Sequence, residues 1–213
     1  MPEIPSLGVR LPTPESLPAV RRFDDEVNEL FDHLRGRQPL DRIVYAISEL
    51  GDFGLIWLLI GAAKAPRSDR NFDRGVRLFG VMAAESVLMN GFVKGLFQRE
   101  RPVFDGERPH KLRIPKTTSF PSGHSSSAFL AAALLSEENP RLRPAYYSLA
   151  IVVSVSRIHV RIHHASDVIC GMAVGAALGA AATRLWPLDE PPVGWSALVA
   201  RGRRRNARGA TRR

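Results

Sequence analysis

Three short strings in the middle of the chain contain the residue types needed to hold a phosphate and break one of its P–O bonds. They are Lys94-x6-Arg101-Pro102, Pro121-Ser122-Gly123-His124 and Ser156-Arg157-x5-His163-x3-Asp167. Together they supply three fixed cations, a helix start with free backbone N–H donors, two histidines and one carboxylate. Fixed positive groups and N–H donors stabilise the charge on a transferring phosphoryl group, so this set is suited to phosphoryl transfer.

The first string places two cations, Lys94 and Arg101, seven residues apart. Seven residues make about two turns of α-helix, so we expect both side chains on one helical face. Pro102 then predicts the end of that helix, because proline cannot donate the next backbone hydrogen bond. Two cations at a lipid–water boundary would give the same pattern, so this string alone is weak.

The second string has the features of an anion-binding helix start. Ser122 is a favourable N-cap, and Gly123 allows the backbone to approach a ligand closely. The free N–H groups and the dipole of the helix attract anions, and His124 would face such an anion from the first turn. An ordinary capped helix with a surface histidine would have the same sequence.

The third string pairs a histidine with a carboxylate. If His163 lies at the beginning of a helix, Asp167 follows one turn later on the same face. The carboxylate could then accept from Nδ1–H, fix the tautomer and leave Nε2 as a nucleophile toward phosphorus. A structural His–Asp pair near a membrane surface is the alternative, and the two phosphate-binding strings nearby argue against it.

Five apolar segments predict an all-α, multi-pass membrane bundle of about five spanning helices. They cover residues 43–63, 76–97, 122–136, 145–160 and 167–186. The third and fourth are shorter than the ~20 residues that span a bilayer, and buried helices of a soluble bundle are the alternative. The fifth contains Gly171, Gly175 and Gly179, a small-residue repeat that allows close helix contact in lipid.

The sequence divides into three regions. Residues 1–40 comprise a Pro-rich lead-in up to Pro18, which we interpret as disordered, and an amphipathic helix over about 17–37. This helix would lie on the membrane surface or on the bundle itself. Residues 41–186 form the predicted membrane catalytic domain, and residues 187–213 form a basic tail that we expect to be disordered.

The distribution of positive charge predicts the orientation. The net charge is +9, and basic residues concentrate at 64–77, at 139–144 and from Arg201 onward. In a five-span bundle these regions share one side, which the positive-inside rule makes cytoplasmic, together with the C-terminus. All three strings then lie on the extracytoplasmic face. The loop 98–120 is also basic, and substrate binding accounts for only part of its charge.

Two classes of partner are not expected. The chain has no nucleic-acid-binding motif. No Asp, Glu or His cluster has metal-ligand spacing, so we predict activity without a metal or other cofactor. The expected partners are a lipid phosphate substrate and the surrounding membrane lipids.

In their order and spacing, the three strings resemble those of the type 2 phosphatidic acid phosphatase (PAP2) superfamily. That superfamily includes lipid phosphate phosphatases, polyprenyl pyrophosphate phosphatases and vanadium haloperoxidases. The resemblance covers about residues 94–171 and fills every motif position. It implies that the phosphoryl oxygens are bound by Lys94, Arg101, Ser122, Gly123 and Arg157. It also implies that His163 attacks phosphorus to form a phosphohistidine, that His124 protonates the leaving oxygen, and that Asp167 orients His163.

The resulting hypothesis is an integral membrane phosphatase that hydrolyses a lipid phosphate or pyrophosphate, with a polyprenyl carrier favoured. Phosphatidic acid and phosphatidylglycerophosphate are alternative substrates, because the cradle reads only the phosphate. A vanadate-dependent haloperoxidase-like enzyme and a non-catalytic lipid-phosphate binder are further alternatives. The apolar segments argue against the former, and the complete set of nucleophile, acid and carboxylate argues against the latter.

Overall fold

The computed structural model describes residues 11–104, 108, 110–115 and 117–188, and this part of the chain is helical without a β-strand. The helices are α1 (Pro18–Asp32), α2 (Gln38–Leu50), α3 (Leu55–Lys64), α4 (Asp69–Val87), α5 (Lys94–Leu96), α6 (Gly123–Glu138), α7 (Arg143–His159) and α8 (Ala165–Leu185). The all-α prediction is confirmed. The predicted C-terminal tail lies outside the described residues, apart from its first two positions.

Two helices in the described part of the chain are long and apolar enough to cross a membrane. One is Asp69–Leu96, in which the π-helical segment Leu88–Val93 joins α4 to α5, and the other is α8. The helices α2 and α3 add a third span if they are counted together, although they meet at a 62° bend. The helices α6 and α7 have 16 and 17 residues, so the predicted count of five spans is not confirmed.

The central helix is α6, which packs against α4, α7 and α8. Its buried side chains Leu130, Leu134 and Leu135 are each at most 1% exposed, and they share a core with Trp57 and Val153. The middle of α6, residues 128–135, is apolar on all sides, and such a segment is stable only where other helices or lipid surround it. The core of the bundle therefore forms around the helix that begins at the second string.

The glycines of α8 allow this helix to lie directly against the backbone of α6. A Cβ atom would lie 2.4 Å from the carbonyl oxygen of Ser122 if added at Gly171, and 2.1 Å from that of Ser126 if added at Gly175. One added at Gly179 would lie 2.6 Å from the Cβ of Ala133. The predicted close contact is thus confirmed, and it joins the helix of the second string to the helix that contains Asp167.

The amphipathic helix α1 packs on the bundle through one face. Val27 and Phe31 lie against the small core of Ile158, Ala165 and Val168. Leu30, at the edge of this face, is 62% exposed.

The chain before α1 is also placed against the bundle, where the sequence predicted a disordered lead-in. The backbone N–H of Leu11 donates to the carbonyl of Leu96 at 3.0 Å, and the carboxylate of Glu15 pairs with Arg99 at 2.7 Å. These contacts are non-local, so the composition of the segment did not indicate them. Residues 1–10 of the lead-in lie outside the described part.

Candidate active site

All eight predicted site residues lie in one connected cluster at the ends of α5, α6, α7 and α8. The backbone N–H of Ser122 donates to the carbonyl of Asp167 at 3.0 Å, which joins the second string to the third. The first string lies next to the second, because Nζ of Lys94 is 3.8 Å from the position that a Cβ atom on Gly123 would occupy. Residues far apart in sequence therefore converge as predicted.

The candidate nucleophile His163 lies in the turn between α7 and α8, one residue before the cap of α8. Its Nδ1 is 3.6 Å from Oδ2 of Asp167 and 3.5 Å from Oγ of Ser119. Its Nε2 is 3.4 Å from Nη1 of Arg101. The ring thus has a carboxylate behind it and a guanidinium in front, so an oxyanion bound to Arg101 would lie within reach of Nε2.

The environment of His163 favours the neutral form of its ring. Burial lowers the pKa of His163 to about 3, and the positive charges of Arg101 and Arg157 act in the same direction, against the raising effect of Asp167. The ring is only 2% exposed. A neutral imidazole has a free lone pair, which nucleophilic attack requires.

The two cations of the first string do not share a helical face, which corrects the prediction. The helix ends at Leu96 and the next residue, Phe97, is extended, so Arg101 lies in the following loop. Thr117 brings the two side chains together instead: its Oγ1 accepts from Nζ of Lys94 at 3.1 Å, and its carbonyl accepts from Nη2 of Arg101 at 3.0 Å. Burial lowers the pKa of Arg101 to about 10, and the guanidinium remains charged at neutral pH.

The third predicted cation, Arg157, is fully buried at the end of α7. Its Nη1 donates to Oγ of Ser48 at 2.5 Å and to the carbonyl of Ser48 at 3.2 Å. Within the described residues, its Nε and Nη2 have no hydrogen-bond partner. A buried guanidinium with unpaired N–H groups is costly unless an anion completes it, so this side chain fits a phosphate-binding role.

The candidate proton donor His124 has a carboxylate partner that the sequence analysis did not assign. Its Nε2 lies 2.6 Å from Oδ1 of Asp52. The same oxygen of Asp52 is 3.9 Å from Nη1 of Arg157, which connects His124 to the candidate phosphate-binding cations. The only sequence signal was an aspartate interrupting the first apolar segment.

Two further residues hold Asp167 and were also missed. Oδ2 of Asp167 accepts from Oγ of Ser119 at 2.5 Å and from the backbone N–H of His164 at 2.9 Å. Oδ1 accepts from Nη1 of Arg99 at 2.5 Å. Burial alone would lower the pKa of Arg99, but the carboxylates of Asp167 and Asp24 raise it above its usual value. Ser119 and Arg99 both lie in the basic loop 98–120, where composition did not distinguish Arg99 from the other cations.

A metal-binding cluster is not found among the residues that the structure describes: no group of three or more His, Cys, Asp or Glu side chains could hold an ion. Positive charge at the cluster comes from Lys94, Arg101 and Arg157. Three cations, a buried neutral imidazole and a second histidine with its own carboxylate together form a geometry that can bind and transfer a phosphoryl group.

Comparison with known proteins identifies relatives that are named as phosphatases of lipids. Residues 74–190 match the sequence model of the PAP2 superfamily. The chain is 31% identical over 137 residues to the decaprenylphosphoryl-5-phosphoribose phosphatase of Mycobacterium tuberculosis, covering 63% of this chain and 73% of that one. It is 39% identical over 105 residues to the lipid A 1-phosphatase of Porphyromonas gingivalis, covering 47% and 23%.

A similar fold is found among solved structures. The crystal structure of a transmembrane PAP2-type phosphatidylglycerolphosphate phosphatase from Bacillus subtilis superposes with a TM-score of 0.62 at 25% identity. The match covers 79% of this chain and 87% of that one.

Proposed function

Because this chain belongs to the PAP2 superfamily and is a membrane phosphatase of phosphoric monoesters, we propose that it hydrolyses a polyprenyl-type lipid phosphate through a phosphohistidine on His163. The observation that carries this proposal is the placement of His163, with Asp167 at 3.6 Å behind Nδ1 and Arg101 at 3.4 Å from Nε2. That arrangement orients a neutral nucleophile toward a bound anion.

The first half of the reaction follows from these positions. The phosphoryl oxygens bind Lys94, Arg101 and Arg157, together with Ser122 and the backbone of Gly123 at the start of α6. Nε2 of His163 forms a P–N bond as the P–O bond to the lipid breaks. The proton on Nδ1 faces Asp167, whose negative charge stabilises the imidazolium character that develops.

His124 supplies the proton for the leaving oxygen. Burial and the charge of Arg157 lower the pKa of His124 to about 4, so the donor is an imidazolium that forms when the negative charge of the bound phosphate adds to that of Asp52. Because Nε2–H donates to Asp52, the proton on Nδ1 is the one transferred. In the second half, His124 accepts a proton from water, and the resulting hydroxide attacks phosphorus. The P–N bond then breaks, releasing inorganic phosphate and restoring neutral His163.

A polyprenyl substrate is favoured by the M. tuberculosis relative, whose name describes a decaprenyl-linked phosphosugar as its substrate. The relatives also include enzymes named for lipid A and for phosphatidylglycerolphosphate, so a phosphate carried on the headgroup of a lipid is the shared chemistry. We propose an extracytoplasmic active site and a cytoplasmic C-terminus, which the concentration of basic residues at 64–77 and 139–144 supports.

The test is phosphate release by the purified full-length protein in detergent, from decaprenyl phosphate, decaprenyl diphosphate, phosphatidic acid and phosphatidylglycerophosphate. We expect His163→Ala to abolish release, while His33→Ala, at an exposed histidine after α1, retains it. A chelator should leave the rate unchanged, since the three cations replace a metal. Release by the His163→Ala protein, or loss of activity on chelation, would contradict the proposal.

A second measurement addresses the intermediate itself. A substrate labelled in its phosphate should leave an acid-labile, base-stable label on the wild-type protein when the reaction is stopped rapidly, as a phosphoramidate does. The His163→Ala protein should remain unlabelled. A label that survives acid would instead indicate an ester on serine or threonine and exclude His163 as the nucleophile.

A further inference from the structure

Arg99 forms ion pairs with three carboxylates. Its guanidinium pairs with Asp167 at 2.5 Å, Asp24 at 2.6 Å and Glu15 at 2.7 Å, and its Nη1 also donates to Oγ of Ser166 at 2.7 Å. Its side chain is only 3% exposed. A guanidinium is planar and presents its donors in fixed directions, so carboxylates held by it have defined orientations.

The pair with Asp167 determines how that carboxylate presents itself to the nucleophile. Arg99 occupies Oδ1, which leaves Oδ2 as the oxygen nearest to Nδ1 of His163. Oγ of Ser119 and the backbone N–H of His164 donate to Oδ2 and fix its position. If Arg99 moved, Asp167 would lose the partner on Oδ1 and could rotate away from His163.

The position of Arg99 depends in turn on α1. Asp24 of α1 is 4% exposed, an unusual environment for a carboxylate, and its Oδ2 accepts from Nη2 of Arg99 and from Oγ of Ser166. Its Oδ1 accepts from the backbone N–H of Ser166, at the start of α8, at 2.8 Å. The helix α1, which contains Asp24, lies outside residues 74–190, the part that matches the family.

We propose that Arg99 is a positioning residue for the reaction and that α1, through Asp24, is a working part of the active site. The order of contact runs from Asp24 through Arg99 to Asp167 and then His163. The inference rests on the proposed function, because it assigns these residues an effect on turnover at His163. It assigns to the N-terminal helix a role beyond membrane or bundle contact.

The experiment compares Asp24→Asn with Asp25→Asn in the full-length protein. These residues are adjacent on α1, but Asp24 is buried against Arg99 whereas Asp25 is exposed. We expect Asp24→Asn to lower kcat by ~10–100-fold, by analogy with the loss of an outer-shell partner that orients a metal ligand. The inhibition constant of inorganic phosphate should change by less than about twofold, because the three phosphate-binding cations are untouched. Asp25→Asn should match the wild type.

Combining variants separates positioning from general stability. Once Asp167 is replaced by Asn, Asp24 has nothing left to orient, so Asp24→Asn/Asp167→Asn should be no slower than Asp167→Asn alone. Arg99→Lys should retain more activity than Arg99→Gln, since it keeps a charge but not the planar fork. If either Arg99 variant fails to fold, the Asp24 and Asp25 proteins decide the question.

Three results would overturn the inference: equal kcat for Asp24→Asn and Asp25→Asn, losses that multiply in the double variant, or parallel loss of turnover and phosphate binding in Asp24→Asn. These outcomes are distinct from failure of the proposed function. In that case the wild-type protein would release no phosphate from any lipid in the panel.

Discussion

The carboxylate of Asp52 holds the ring of His124 across a break between two helices, with Oδ1 2.6 Å from Nε2. The break separates α2 from α3, and Phe53 and Gly54 adopt positive φ values of 55° and 68°. A left-handed conformation is uncommon for a phenylalanine and is found where the surroundings impose it. The site therefore contains two His–Asp pairs, His163 with Asp167 and His124 with Asp52, and we propose opposite roles for their histidines.

The first prediction concerns the proton donor. His124→Ala should slow hydrolysis of a lipid phosphate by ~10²–10⁴-fold, because an alkoxide is a poor leaving group without a proton. The same variant should lose much less activity toward p-nitrophenyl phosphate, whose leaving group needs no protonation. Steady-state phosphate release from both substrates is the measurement, and an equal loss on both would remove His124 from this role.

A second prediction addresses Asp52, the partner of His124. Asp52→Asn keeps the shape but not the charge that stabilises protonated His124, so it should show the same dependence on leaving group in a milder form. Glu49→Gln is a suitable control, because Glu49 is exposed on the preceding turn. A uniform loss on both substrates would mean that Asp52 acts through Arg157 and phosphate binding instead.

A third prediction concerns Asp167. Asp167→Asn should reduce kcat on the order of 10⁴-fold, as expected when the partner that fixes a catalytic tautomer is replaced by an amide. Inhibition by inorganic phosphate should persist, since Lys94, Arg101 and Arg157 remain. Turnover within a factor of ten of the wild type would show that Ser119 alone orients His163.

Stability should depend on pH through His163. An unfolded imidazole takes up a proton near pH 6.5, whereas burial keeps the pKa of folded His163 at about 3. The unfolded state binds more protons in this window, so stability falls as the pH is lowered from 6.5. Thermal unfolding in detergent from pH 7 to 4 should show wild type losing up to ~1.4 kcal/mol per pH unit more than His163→Asn. Identical slopes for the two proteins would contradict this.

The glycine contact between α6 and α8 gives a prediction about packing. Gly175→Ala places a methyl group 2.1 Å from the carbonyl of Ser126, so it should cost about 1–3 kcal/mol and reduce activity. Gly91→Ala is the matched control, because nothing lies within 4 Å of its added methyl group. Thermal unfolding compares the two, and equal midpoints would show that the helices separate without cost.

Much of this site was predictable because its residues belong to short sequence patterns with a defined local geometry. Ser122 does cap α6 by accepting from the backbone N–H of Ser125, as the string Pro-Ser-Gly-His predicted. His163 and Asp167 are four residues apart, so any helix that begins between them brings the two side chains close. The glycine repeat of α8 likewise predicted a close helix pair from spacing alone.

The residues that were missed depend on contacts between distant segments. Asp52 reaches His124 only because the chain breaks between α2 and α3, whereas hydropathy predicted a single apolar segment there. The sequence does not distinguish Arg99 from the other cations of a basic loop, because its buried partner Asp24 lies 75 residues earlier. Spacing also placed Arg101 on a helix that ends five residues before it, because the prediction rested on Pro102 rather than on Gly95 as the stop signal.

The candidate active site has two unlike sides, and the backbone contact between α6 and α8 forms one of them. Ser122 and Asp167 belong to helices whose backbones are in direct contact. The start of α6 and the carboxylate beside His163 therefore form one rigid unit. His124, on the same unit, is met from across by Asp52, which belongs to the interrupted wall of α2 and α3. In the proposed reaction, leaving groups of different bulk would therefore be accommodated by adjustment of that wall, while Ser122 and Asp167 keep their relative positions.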